Sequence, residues 1–116
     1  MPFRDISWSK REKIVARQAF DTAYRRECTA ITERLREMAA NISEPADIWA
    51  LHNHLTKQRD EVDYKYDYRY SVLPRVFARL MCDGWLFEED LAGLSDEKLE
   101  VIHRLFALKR ELEQDV

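Results

Sequence analysis

The chain is almost without backbone breakers. Its 116 residues include two glycines and three prolines. A sheet protein needs a turn for every hairpin, and turns draw on Gly, Pro and Asn. Five breakers cannot serve many hairpins, whereas a few long helices fit them well. Between Ala46 and Leu73 there is no Gly or Pro at all. The expected fold class is therefore all-α.

Helical punctuation supports this. "SKRE" is a capping box, with Ser9 at the cap and Glu12 three residues on. After it, Ala16, Phe20, Tyr24, Ile31, Leu35, Met38 and Ile42 follow in steps of three and four, with Glu27 or Cys28 in the gap. That is one apolar stripe on a first helix of more than about 30 residues. So long a stripe is hard to cover within one small chain, so part of it is expected to meet a second copy. "NISEP" ends the helix, and Pro45 suits the first turn of the next. The second helix starts near Ala46 with the stripe Ile48, Leu51, Leu55 and Val62.

The run "DYKYDYRY", Asp63 to Tyr70, is ambiguous. Its strict alternation is the pattern of a half-buried strand. Yet a lone strand has no partner here, and at 100° per residue Tyr66 and Tyr70 continue the Ile48 face. The expectation is helix throughout, with Tyr66 and Tyr70 more buried than Tyr64 and Tyr68. Ser71 is a plausible cap for a third helix carrying Val72, Val76, Phe77 and Leu80. Asp83-Gly84 stops that helix. "WLFEEDLAGL" reads as a short helix ending near Gly93. Ser95 caps the last helix, with Leu99, Ile102, Leu105, Phe106 and Leu108 on its apolar side. The whole reads as a single domain over residues 1–116. A stalk of two long antiparallel, dimer-forming helices (about 9–70) is followed by a small helical head (about 71–113).

Several function classes are excluded. Net charge is −3, with 19 basic and 22 acidic residues, which leaves no electrostatic footprint for nucleic acid. No apolar run approaches the roughly 20 residues of a membrane span. "MPFRDISW" lacks the apolar core of a signal peptide, so the expected location is cytoplasmic. Cys28 and Cys82 form no CxxC and read as reduced thiols. His52 and His54 stand two apart, pointing about 200° from each other on a helix, and cannot share an ion. No nucleophile elbow or phosphate loop is present. The reading is a protein with no catalytic residue, cofactor or metal.

One stretch stands out, "DIWALHNHLTKQR", Asp47 to Arg59. Trp49, His52, Asn53, Thr56, Arg59, Asp60 and Asp63 share one face beside the apolar stripe. Trp and Arg are enriched at interface hot spots. The plainer alternative is that Trp49 packs on the first helix and Arg59 pairs with a nearby acid.

At these residues the chain resembles the fluorescence recovery protein family of photoprotection. "WSKRE" with "ARQAFDTAYRRE" resembles the family's first helix. "DIWALHNHLTKQRDEVDYKYDYRYSVL" resembles its most characteristic segment, and "VFARLMCDGWL" the start of its head. The resemblance runs from about Trp8 to Leu105. It implies an all-α homodimer without a cofactor. It also implies a partner, the orange carotenoid protein, whose photoactivated form such proteins return to the resting state and help detach from the phycobilisome antenna, ending non-photochemical quenching. Membrane association is then at most indirect, through the antenna. Trp49, His52 and Arg59 match the family's Trp, His and Arg on the dimer and active-face helix, with Asn53 and Asp60 beside them. Asn53 stands where the cyanobacterial pattern has Asp. Pro74-Arg75 replaces an apolar and aromatic pair, so Arg75, with Phe77, is expected on the head surface. Family homologues occur in bacteria without the antenna. An alternative is therefore a dimeric adaptor with a different protein partner.

Overall fold

The computed structural model describes residues 7–114. Most of the N-terminal "MPFRDISW" and the last two residues lie outside that range. Four helices appear: α1 (Lys10–Ala40), α2 (Pro45–Lys65), α3 (Leu73–Asp83) and α4 (Asp96–Gln114), with a 3₁₀ turn at Glu88–Leu91 between the last two. No sheet forms among the described residues.

The helix boundaries follow the punctuation. Ser9 Oγ accepts the Glu12 N–H at 3.1 Å, and Glu12 Oε1 accepts the Ser9 N–H at 3.0 Å. α3 ends at Gly84 with φ 87°, the left-handed cap that glycine adopts without strain. Ser95 Oγ accepts the Lys98 N–H at the start of α4. Ser71 does not cap α3; Val72 stands at that position without a side-chain bond, and Pro74 occupies the first turn.

The core lies between the first half of α1 and the elements after Ser71. Ala16, Ala19, Phe20 and Ala23 pack with Leu73, Val76, Phe77, Leu80, Leu86, Leu91, Leu94 and Ile102. The small residues of α1 let the other backbones approach, and the large apolar side chains come mostly from the opposite side. Phe77 is therefore not on the surface but at 0% exposure in the core. It belongs to the α3 apolar stripe, which turns inward, while Arg75 on the opposite side is exposed.

Polar side chains tie the same elements together. Glu12 Oε2 accepts the Ser95 N–H at 2.9 Å, and the Lys98 ammonium lies 3.1 Å from Oε1. Burial alone would raise the Glu12 carboxyl, but the N–H groups of Ser9 and Ser95 and the Lys98 charge outweigh it and hold it at about 2. Arg26 donates to Asp90 at 2.7 Å and to the Trp85 carbonyl at 3.1 Å.

The tyrosine run differs from expectation. α2 stops at Lys65, the Asp67 N–H turns back to the Lys65 carbonyl at 3.1 Å, and the chain has no regular structure until the turn before α3. Tyr66, Tyr68 and Tyr70 nevertheless all lie toward α1. Tyr66 and Tyr68 both meet the Phe20 ring edge-on, at 5.4 and 4.9 Å between centroids, and Tyr70 lies 5.5 Å from Trp8. Tyr66 is more buried than Tyr64, as expected. Tyr68, however, is half-buried while Tyr70 is 37% exposed, the reverse of a helical placement. Alternate tyrosines thus share one side, and what they pack on is a helix rather than a neighbouring strand.

Candidate functional site: the uncovered α1–α2 hairpin

Beyond Glu27, α1 runs clear of the core. Asn41 closes its end, its side-chain N–H donating to the Glu37 carbonyl at 2.9 Å. Asp47 then reaches back across the turn. Its Oδ2 accepts from the Ser43 N–H, the Ser43 hydroxyl and the Glu44 N–H at 3.0 to 3.2 Å. Those bonds hold the Asp47 carboxyl below the usual range. With Pro45 in its first turn, α2 starts in a fixed direction and returns along α1, ending beside Glu27.

No residue from 28 to 61 is buried. Ile31, Leu35, Met38 and Leu51 are half-buried, and Ile42, Ile48 and Leu55 are exposed. The stripes read from sequence are thus present as faces, but α2 inserts only Val62 into the protein's interior as an apolar side chain. Two helices with continuous apolar stripes stand largely bare.

Trp49 lies on this hairpin, 63% exposed and not packed on α1. His52, Asn53, Thr56, Arg59, Asp60 and Asp63 are also exposed on α2. Among the described residues, Arg59 and Asp60 enter no ion pair and no side-chain hydrogen bond. The plain reading, in which Trp49 packs and Arg59 pairs, therefore does not hold within one chain. Arg75 is exposed on α3. Phe77 joins neither, being interior. Among the described residues no group of three His, Cys, Asp or Glu side chains has the geometry of a metal site.

Sequence reasoning missed the group at the root of the hairpin. The Lys65 ammonium sits 2.8 Å from Glu27 Oε2 and 3.0 Å from Asp83 Oδ2, and Arg79 reaches the same Asp83 oxygen at 3.3 Å. The Tyr66 hydroxyl donates to Glu27 Oε1 at 2.8 Å. Burial and then this bond push the Tyr66 hydroxyl well above its ordinary range. The available signal was Glu27 itself, a carboxylate in the gap of an apolar stripe.

The described residues form helices, and the hairpin of α1 and α2 presents bare apolar, aromatic and arginine side chains. The family model described as photoprotection regulator fluorescence recovery protein matches residues 8–106. The chain is 37% identical over 104 residues to the Fluorescence recovery protein of Synechocystis, covering 90% of this chain and 95% of that one. The solved structure of the Fremyella diplosiphon Fluorescence Recovery Protein shares 50% identity with it, at a TM-score of 0.81, over 85% of this chain and 97% of that one. The Synechocystis structure gives 36% identity, the same TM-score and the same coverage. The chain belongs to the fluorescence recovery protein family of photoprotection regulators. No helix among the described residues is long and apolar enough to cross a membrane.

Proposed function

We propose that this protein is a homodimeric, non-enzymatic regulator that binds the photoactivated orange carotenoid protein. It speeds that partner's return to the resting form and promotes its release from the phycobilisome. The observation that carries this reading is the uncovered hairpin. An apolar surface of this length on a small chain is characteristic of an interaction face. The molecule is also elongated, with a radius of gyration of 17.1 Å, against roughly 13 Å for a compact chain of this length.

The two faces of the hairpin divide the work. The apolar stripes of α1 and α2 meet a second copy, with two-fold symmetry as the usual arrangement. Trp49, His52, Asn53, Arg59 and Asp60 border that contact and offer the partner an indole, an imidazole, an amide, a guanidinium and a carboxylate. Arg75 adds a second cation from α3. No bond needs to be made or broken. A binder that holds the closing arrangement of a two-domain partner better than its separated form accelerates closure. An elongated dimer can touch two domains at once and raise their effective concentration.

The test is dark recovery of photoactivated orange carotenoid protein with and without this chain. Faster return of the orange absorbance supports the reading. Unchanged kinetics with the chain in excess would defeat it and leave a dimeric adaptor for another partner.

A further inference from the structure

We propose that the groove between the end of α2, α3 and the last turns of α4 docks an amphipathic helix of a partner protein, with leucine-type side chains along its seam and carboxylates beside them. The groove holds about 850 Å³. Its floor is apolar. Val76 and Ala78 of α3 are buried there, and Leu105, Leu108 and Leu112 line it from α4. Leu108 and Leu112 are more than half exposed, and Tyr64 of α2, which also lines the groove, is nearly bare.

α4 is patterned for a helical partner. Val101, Leu105, Leu108 and Leu112 recur at steps of four, three and four, the heptad seam along which two helices interlock. Upstream, the seam is used within the chain, since Leu105 packs against the core. Downstream it continues uncovered. Leu108 and Leu112 also stand past residue 106, where the match to the family ends. They belong neither to the hairpin nor to the residues proposed to meet the carotenoid protein, so the inference does not rest on that reading.

Charge selects the occupant. Of the ionic side chains lining the groove, Lys65 is held by Glu27 and Asp83, and Arg69 donates to Asp67 at 2.9 and 3.1 Å. Arg75, Arg79 and Lys109 remain, with Asp63 as the one other carboxylate of the lining. Arg79 shares Asp83 with Lys65. Arg75 and Lys109 enter no ion pair and no side-chain hydrogen bond among the described residues. In the heptad, Lys109 takes the position directly beside the Leu105–Leu108 seam, where ionic pairing chooses the partner. A second copy is a poor occupant, because a two-fold contact sets a patch against itself and would oppose these cations to their own kind. A helix flanked by glutamates or aspartates complements them.

The probe is a synthetic helix of roughly three heptads with leucine at a and d and glutamate at e and g, whose like charges keep it from pairing with itself. Its lysine counterpart is the control. Titrated into the full chain, the glutamate helix should move the methyl resonances of Leu105, Leu108 and Leu112 and bind about tenfold tighter than the lysine helix. Leu108→Ser with Leu112→Ser, both at exposed positions, should weaken binding about tenfold without changing the melt. Arg75→Glu with Lys109→Glu should reverse the preference between the two helices, which reads the groove independently of the leucines. Equal binding of both helices would overturn the proposal by showing apolar adhesion alone. So would absence of binding, or shifts confined to the α1–α2 hairpin. Sedimentation of the chain alone closes the test, since an assembly that the leucine changes dissociate would make a second copy the occupant and overturn the acidic partner.

Discussion

Glu12 accepts the backbone N–H of Ser95 at 2.9 Å, so a carboxylate that closes the capping box of α1 also receives the chain as it enters α4. Its other oxygen holds the Ser9 N–H and the Lys98 ammonium. Lys98 is itself buried, and its ammonium lies 4.9 Å from the Trp8 ring centre. One side chain therefore fixes the register between the two ends of the sequence.

Acid should expose this dependence. The Glu12 carboxyl is depressed from 4.5 to about 2. A depressed carboxyl contributes stability that is complete above its unfolded value and disappears as pH falls through the folded one. The shift corresponds to a contribution on the order of 3 kcal/mol. Glu12→Gln should lower stability by roughly this amount at pH 7. The gap between variant and wild type should narrow between about pH 4.5 and 2. Urea melts across that window measure it, and a gap independent of pH would show that Glu12 acts through packing alone.

The two glycines should differ in cost. Both have positive φ, 87° at Gly84 and 109° at Gly93. A Cβ on Gly84 meets nothing within 4 Å, whereas one on Gly93 comes within 2.8 Å of Val15 Cγ2. Val15 is β-branched and stiff in its helix. Gly84→Ala should cost about 1 kcal/mol for the left-handed backbone alone. Gly93→Ala should cost more, by roughly 1–3 kcal/mol of overpacking. Thermal melts of the pair would rank them, and equal losses would contradict the close approach of Val15.

Much of this fold was legible. Capping at Ser9, the stop at Gly84 and the α1 stripe depend on local chemistry, and each stands where the sequence put it. Tyr66–Tyr70 was not legible from its own pattern, because its side chains meet Glu27 and Phe20, more than thirty residues away. Helical and alternating periodicities both fitted that run, and neither a helix nor a strand forms there. Phe77 was misplaced for a different reason. Resemblance assigned it to a surface, while its own spacing with Val76 and Leu80 assigned it to the core, and burial followed spacing. On α2, exposure of Trp49 and Arg59 is visible in the chain, but their roles rest on the proposed function.

The proposed dimer makes its own prediction. Leu55 is 41% exposed and lies on the α2 stripe outside the core. Leu55→Glu should leave the monomer fold intact, since surface changes outside special contacts usually cost within about 0.5 kcal/mol. It should instead shift sedimentation toward monomer, because a carboxylate would be buried unpaired at the contact. A variant with wild-type sedimentation would place the contact elsewhere.

The final prediction concerns Arg59. Its guanidinium is exposed on α2 and unpaired among the described residues, with Asp60 beside it and Asn53 about two turns earlier. A planar fork of donors fits a carboxylate or carbonyl on a partner, and a lysine ammonium would not reproduce it. Under the proposed function, Arg59→Ala should slow recovery of the carotenoid protein more than any exposed single change on α4, with a loss of about 1–3 kcal/mol as for a hydrogen bond to a charged group. Arg59→Lys should restore only part of that loss, which separates fork geometry from net charge. Asn53→Asp should tighten the dimer or raise activity if a carboxylate at that position completes the face. Recovery assays at matched dimer concentration, fixed by sedimentation, keep the two effects apart. If Arg59→Ala recovers like wild type while the α4 changes do not, the working face lies on the α4 side of the molecule.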